Sequence, residues 1–201
     1  MRRFAMVIMM GIMVTAAATA GVVLQKVAGE VSVRQGVAEE WMPAKAGMQL
    51  GPETTIRTGE KSTAQLSASG KVIRLPGAVI VDISDIRDLS QEELLLKLTM
   101  QKVREAPYHR KGDRQEIPNA TVVHGQDAAG GRGLPENNGV TGERLLRGTQ
   151  VLYDNGFFST CALKAMEVVQ QYPSLKTFAT GWLVAESLER AGLRGEALSA
   201  F

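Results

Sequence analysis

The chain has 201 residues, 44% of them hydrophobic and 22% charged, which suits one or two small domains rather than a large enzyme. Lysine and arginine number 23 against 21 acids, and only 5% of residues are aromatic, which argues against nucleic acid as a partner. One cysteine excludes a disulfide framework and a cysteine-rich zinc site, and two histidines leave little for imidazole catalysis.

Residues 1–20 have the layout of an export signal. A basic start is followed by an apolar run from Phe4 to Val14, and small residues continue to Ala20. We predict cleavage after Ala20 by signal peptidase, and hence a periplasmic or secreted protein. The alternative is an inner-membrane anchor, since the stretch 4–23 is long enough to span a bilayer core and would then be the membrane contact.

Residues 21–89 are predicted to form an all-β module. Apolar and polar side chains alternate with a period of two, as in Val31–Arg34, which is typical of strands with one buried face. Glycines and prolines recur throughout the segment and leave no room for a helix longer than about two turns. We expect six or seven short strands.

A set of glycines, apolar residues and one tryptophan follows a defined order within this module. It comprises Gly29-Glu30-Val31, Val33, Gly36, Trp41, Ala46-Gly47, Leu50, Ile56-Arg57-Thr58-Gly59, Ser62, Ala64, Leu66, Gly70 and Ile73-Arg74-Leu75. The pattern resembles the FecR domain, a family of the periplasmic side of bacterial envelopes, over residues 29–83. The resemblance implies a mainly β fold, solenoid-like or sandwich, with short strands. We expect its glycines and Trp41 to determine the fold rather than to bind a partner.

The founding FecR type relays a signal from an outer-membrane iron-chelate transporter to a cytoplasmic sigma factor. An envelope signalling regulator linked to iron uptake is therefore one expected function. That type carries a cytoplasmic anti-sigma segment before its membrane span, whereas three residues precede the apolar run here. We therefore expect the β module without the regulatory activity.

Residues 90–105 are predicted to form an amphipathic helix. Ser90-Gln-Glu-Glu93 fits a capping box, and Leu94, Leu95 and Leu98 then recur at helical spacing. These leucines either pack against the β module or form a groove for a partner, and we favour packing against the β module.

Residues 106–142 have the composition of a linker, rich in glycine and proline, with one candidate strand at Thr121–Val123. His109 and His124 lie in this segment without other ligand types at metal-binding spacing, so we assign neither of them to a metal.

Residues 143–201 change to a helical period. Breaks near Gly156, Tyr172-Pro173 and Gly192 divide them into four helices, the third marked by Phe178, Trp182, Ala185 and Leu188. Gly156 matches Gly192 at an offset of 36, and Ala162-Leu163 matches Ala197-Leu198 at an offset of 35. This period is similar to that of tetratricopeptide (TPR) repeats.

Repeat hairpins do not bury their apolar faces alone. Residues 143–201 are therefore expected to dock on the β module, to self-associate or to bind another protein.

The remaining candidates for chemistry are weak. Asp82, Asp85 and Asp88 lack the glycine turn and final glutamate of a calcium loop, so we expect a solvated acidic strand exit. Cys161 is expected to be a buried thiol, the alternative being an intermolecular disulfide. We assign no catalytic, cofactor-binding or metal-binding residue and expect no enzyme and no cofactor. The sequence predicts an exported scaffold that binds envelope proteins.

Overall fold

The computed structural model describes residues 21–38, 40–105 and 138–200. The predicted signal, most of the predicted linker with its candidate strand, and both histidines lie outside the described residues. The strands are β1 (Val22–Ala28), β2 (Val31–Gln35), β3 (Met42–Pro43), β4 (Gln49–Leu50), β5 (Thr54–Thr58), β6 (Thr63–Ala68), β7 (Lys71–Leu75) and β8 (Ile80–Asp82). The helices are α1 (Gln91–Glu105), α2 (Asn138–Asp154), α3 (Phe158–Gln171), α4 (Phe178–Arg190) and α5 (Arg194–Ser199).

The strands form two antiparallel sheets of four, and the chain beyond them is helical, so the fold is mixed. The first sheet has the order β4-β1-β6-β7 and the second the order β3-β2-β5-β8. The all-β prediction for this segment is confirmed. There are eight strands rather than six or seven, because β3 and β4 have only two residues each.

Both sheets bury the apolar half of their alternating pattern in one shared core. In the first sheet Leu24 pairs with Leu66, and in the second Val33 pairs with Ile56. All four side chains are fully buried in the same hydrophobic cluster. The alternation therefore fixes the register in which these strands pair, because a shift of one residue would turn the buried side chains to the outer face of the sheet.

Residues of the FecR-like pattern meet where the β1–β2 turn contacts the β5–β6 turn. The amide of Glu30 donates to the Ser62 hydroxyl at 2.7 Å, and the amide of Gly59 donates to the Glu30 carbonyl at 2.8 Å. Gly29 has a φ of +80°, and a Cβ there would lie 2.5 Å from the Ser62 hydroxyl oxygen. These hydrogen bonds join the two turns at which the chain passes from one sheet to the other, so the residues stabilise the fold.

Helix α2 packs against β7 and β8, which are the edge strands of the two sheets. Its close approach depends on Gly148, where a Cβ would lie 2.0 Å from the Ile80 carbonyl oxygen. Val151, Leu152 and, at the start of α3, Cys161 then join the core of the sheets. Helix α2 includes residues 138–142, so the predicted linker boundary at residue 142 is wrong. Asn138, Gly139 and Gly142 have low helix propensity, but propensity is a weak guide where tertiary packing intervenes.

Helix α1 is present over the predicted residues, and the amide of Glu93 donates to the Ser90 hydroxyl at 3.1 Å. The predicted packing of its leucines against the β module is wrong. Leu94 and Leu98 belong to a second core, shared with Ala162, Ala165, Val184, Leu188, Leu193 and Ala197 of the other helices and their connections. Helix α2 already covers the edge strands of the two sheets, and the apolar face of α1 that carries Leu94 and Leu98 packs against α3 instead. We call α1–α5 the helical layer.

The turns after α2 and α4 are equivalent. Gly156 and Gly192 have φ values of +82° and +88°. In the first turn the amide of Phe157 donates to the Leu152 carbonyl, and in the second the amide of Leu193 donates to the Leu188 carbonyl. The offset is 36 for both pairs and stays 36 into the next helix, where the amides of Cys161 and Ala197 are equivalent donors. The predicted alignment of Ala162 with Ala197 is therefore one residue out of register.

In the part of the chain that the structure describes, no helix combines the length and apolarity needed to cross a membrane.

Candidate protein-interaction surface

Exposed apolar side chains concentrate on the helical layer. Of the eleven large hydrophobic side chains that are exposed among the described residues, eight lie in helices. The most exposed of these are Leu198 on α5 at 81%, Phe178 on α4 at 78%, and Val103 on α1 at 69%. Clustered exposure of this kind marks interaction sites on soluble proteins more often than single exposed residues do.

Helix α4 carries the aromatic part of this exposure. Phe178 and Trp182 are one turn apart, so their rings lie on the same face, with centroids 6.4 Å apart. Thr177 and Thr180 form a capping box at the start of the helix, which sets Phe178 at its first position. The sequence marked this helix by Phe178, Trp182, Ala185 and Leu188; of these four residues Phe178 and Trp182 are exposed, whereas Ala185 and Leu188 are buried.

Two aromatic side chains of the neighbouring helices extend this face, and Arg190 of α4 lies beside both of their rings. The rings of Tyr153 on α2 and Phe158 on α3 meet edge to face, with centroids 5.3 Å apart. The guanidinium of Arg190 lies 5.6 Å from the Tyr153 ring and 5.4 Å from the Phe158 ring, within cation–π range. We call Tyr153, Phe158, Phe178, Trp182, Arg190 and Leu198 the aromatic surface.

Glu186 lies at the centre of the aromatic surface and holds its polar groups. Its carboxylate accepts hydrogen bonds from the Tyr153 hydroxyl at 2.5 Å, the Trp182 indole at 2.9 Å and the Arg190 guanidinium at 3.1 Å. The bond from Tyr153, followed by those from Arg190, lowers the pKa of Glu186, and the same bond raises the pKa of Tyr153. One carboxylate thereby orients three side chains that come from two helices.

A groove of about 350 Å³ continues the surface from α4 to α5. Its apolar lining comes from Trp182, Ala185, Ala197 and Leu198, and its charged lining from Glu186, Glu189 and Arg194. An apolar floor with charges of both signs at the rim suits a peptide or a helix rather than a small polar metabolite.

Of the three aspartates that the sequence singled out, two do not belong to a solvated acidic strand exit. Asp82 and Asp85 hold the Lys164 ammonium of α3 at 2.8 and 3.6 Å, while Asp88 is two-thirds exposed and lies 3.7 Å from Lys71. The prediction was wrong for Asp82 and Asp85, because α3 covers the end of β8, a contact the linear pattern does not reveal. Among the described residues no group of three or more histidine, cysteine or acidic side chains could hold a metal ion.

The prediction of a buried thiol at Cys161 is confirmed. The side chain is fully buried, and its sulfur accepts a hydrogen bond from the Ser187 hydroxyl at 3.3 Å. Burial raises the pKa of Cys161 to about 11. An inaccessible, protonated thiol is unsuited to the intermolecular disulfide considered as the alternative.

Sequence reasoning located the helices of the aromatic surface but missed Tyr153, Phe158, Glu186 and Arg190. A local signal existed, because Trp182, Glu186 and Arg190 follow one another at intervals of four on one helix face. Comparison with protein-family models, with curated proteins and with solved structures finds no match for this chain. The FecR and TPR resemblances therefore stay predictions.

Proposed function

We propose that this chain is a non-catalytic interaction scaffold of the bacterial cell envelope. In this proposal residues 1–20 export it, residues 29–83 are a FecR-like module, and the helices from α2 onward are TPR-like. An envelope protein binds at the aromatic surface, and this surface is the observation that carries the proposal.

The composition of the aromatic surface supports binding to a protein. Tryptophan, tyrosine and arginine are the residue types that contribute most binding free energy at interfaces. Here one of each is held by a single carboxylate, that of Glu186, before any partner arrives. Less side-chain entropy is lost when such a prearranged surface binds, so more of the contact energy appears as affinity.

Two features of the fold support the proposed modules. The FecR-like pattern supplies the hydrogen bonds among Glu30, Gly59 and Ser62 that join the sheets, so its spacing has a structural reason. The repeated turn at Gly156 and Gly192, with its constant offset of 36, agrees with a helical repeat close to the TPR period.

Crosslinking in intact bacterial cells tests the proposed binding site. A photoreactive phenylalanine analogue would replace Phe178 or Leu198, and Val72 on β7, which is 54% exposed, would be the matched control position. We expect an adduct with a specific envelope protein from positions 178 and 198, none from position 72, and loss of the adduct when Trp182→Ser is added.

The other outcomes are equally informative. Adducts from position 72 alone, or none from positions 178 and 198, would contradict binding at the aromatic surface. Adducts only between copies of this chain would assign the surface to self-association. Capture of a cytoplasmic sigma factor by a protein that keeps residues 1–20 would favour the signalling regulator, whereas a mature protein beginning at Gly21 supports export with cleavage.

A further inference from the structure

Lys164 joins the helical layer to the β module through a compact charged cluster. Its ammonium lies 2.8 Å from a carboxylate oxygen of Asp82 on β8 and 3.6 Å from one of Asp85, in the short 3-10 turn after β8. A third carboxylate, that of Glu167 on α3, lies 3.3 Å away. The Lys164, Asp82 and Asp85 side chains are at most 28% exposed, so water screens these charges only in part.

The carboxylates of this cluster outnumber the ammonium. Asp82 is the best supported, because it also accepts a hydrogen bond from the Thr55 hydroxyl at 2.7 Å. Asp85 is farther from Lys164 and lies close enough to Asp82 and Glu167 to be repelled by both. An ionised, mostly buried carboxylate in this position is unfavourable, and binding one proton relieves the repulsion.

The other charged groups that face the cluster do not remove this imbalance. The positive charge of Arg34 on β2 stabilises the ionised form of Asp82 and helps to lower its pKa. Arg87 and Lys97 line the same groove as Asp85, which has a volume of about 600 Å³, but the Arg87 guanidinium is hydrogen-bonded to Glu93. Of the three carboxylates around Lys164, that of Asp85 lies farthest from the ammonium, at 3.6 Å against 2.8 Å for Asp82 and 3.3 Å for Glu167.

We propose that this cluster makes the attachment of the helical layer to the β module pH-sensitive, so that it tightens when the Asp85 carboxylate, crowded by two other carboxylates around one ammonium, takes up a proton. Burial, together with the charges of Asp82 and Glu167, raises the pKa of Asp85 from 3.8 to about 6. Burial acts on Asp82 in the same direction, but hydrogen bonds from Lys164 and Thr55 outweigh it and leave the pKa of Asp82 lowered. The two neighbouring aspartates therefore titrate in different pH ranges.

The direction of the effect follows from proton binding. Between pH 6 and pH 4 the folded protein holds a proton on Asp85 that the unfolded chain does not, so acidification in this window favours folding. Asp82 has the opposite effect, because its pKa is lowered in the folded protein. Below pH 4 the unfolded chain binds a proton at Asp82 more readily than the folded protein does, so further acidification favours unfolding. Maximum stability from this pair is thus expected in mildly acidic solution rather than at pH 7.

Thermal unfolding of the full chain between pH 7.5 and pH 4.5 tests this proposal, with Asp85→Asn and Asp82→Asn as a matched pair. The wild type should gain about 3 °C or more in Tm on going from pH 7 to pH 5. Asp85→Asn should lose that gain, with a Tm at pH 7 at or above the wild-type value. Asp82→Asn should have a lower Tm throughout and keep the gain.

The difference in Tm between the wild type and Asp85→Asn cancels the titration of the other groups. The proposal would be overturned if this difference were the same at pH 7 and pH 5. NMR titration of the Asp85 carboxyl carbon in the wild type needs no variant. A midpoint near pH 6 supports the proposal, and one near pH 4 overturns it. Hydrogen exchange should place the added protection in β8 and α3 rather than in the first sheet.

Discussion

The β module and the helical layer place their apolar side chains differently. In the β module both sheets bury them in one shared core, and among the described residues of this module the exposed large apolar side chains are Val37, Met42 and Val72. The helical layer has a smaller core of its own and leaves Leu96, Met100, Phe178, Trp182 and Leu198 exposed. A strand has two faces that alternate residue by residue, whereas a helix in a single layer keeps a face with nothing to cover it.

The two hydrophobic cores do not follow the order of the chain. Helix α1 comes directly after the strands and packs with the later helices, while α2 and the start of α3 complete the core of the sheets. The β module thus depends on residues far from it in sequence. Substitutions at the boundary test this arrangement most directly.

The largest effect is expected from Gly148→Ala, compared with Gly181→Ala. Both glycines are inside helices, where alanine is favoured by about 1 kcal/mol on propensity alone. A Cβ at position 148 would meet the Ile80 carbonyl oxygen, whereas nothing lies within 4 Å of a Cβ at position 181. Because this clash is with the backbone, Gly148→Ala should lower the free energy of unfolding by about 4 kcal/mol or more, and Gly181→Ala should leave it equal or raise it.

Urea denaturation measures both variants. Equal stabilisation by the two substitutions would contradict the close seating of α2 on β8, and with it the dependence of the β module on the helices.

A smaller effect is expected from Leu94→Ala, compared with Leu96→Ala on the same helix. Leu94 is fully buried in the helical core, and Leu96 is 60% exposed. We expect a loss of about 2–4 kcal/mol for Leu94→Ala and a change within about 0.5 kcal/mol for Leu96→Ala. In Leu94→Ala, hydrogen exchange should accelerate first in α3–α5, and earlier acceleration in the strands would place α1 against the β module instead.

The smallest effect is expected from Glu186→Ala, compared with Glu189→Ala. The chain has two tryptophans, Trp41 in the β module and Trp182 in the helical layer, so each indole N–H signal reports on one region. Loss of the Glu186 carboxylate removes the acceptor of the Trp182 indole, and that signal should shift in an NMR spectrum while the Trp41 signal stays. An unmoved Trp182 signal, or the same shift in Glu189→Ala, would remove Glu186 from its place at the centre of the aromatic surface.

Local patterns predicted the elements well. The period of two predicted the strands, and Ser90 with the leucines after it predicted α1 to its first residue. The glycines at 156 and 192 predicted both helical turns, because a positive φ at that position strongly favours glycine. These features depend on backbone conformation and on neighbours within a few residues, so a sequence can be read for them directly.

Contacts between distant segments could not be predicted in the same way. Leu94 and Leu98 show a buried stripe without showing what buries it, and Phe178 and Trp182 share a period with buried residues although they are exposed. Asp82 and Asp85 read as a solvated acidic run, since the ammonium that they hold is about eighty residues away.

Local periodicity and backbone preference are enough to predict which segments are strands and which are helices, where they turn, and which face of each is apolar. Tertiary structure alone decided that α2 completes the core of the sheets, that Lys164 meets two aspartates, and that Tyr153, Trp182 and Arg190 share one carboxylate. The physical reason is that the hydrophobic effect is non-directional, so an apolar face can pack against any other apolar face of suitable shape. Which segments pack together is settled only when the whole chain forms a close-packed interior.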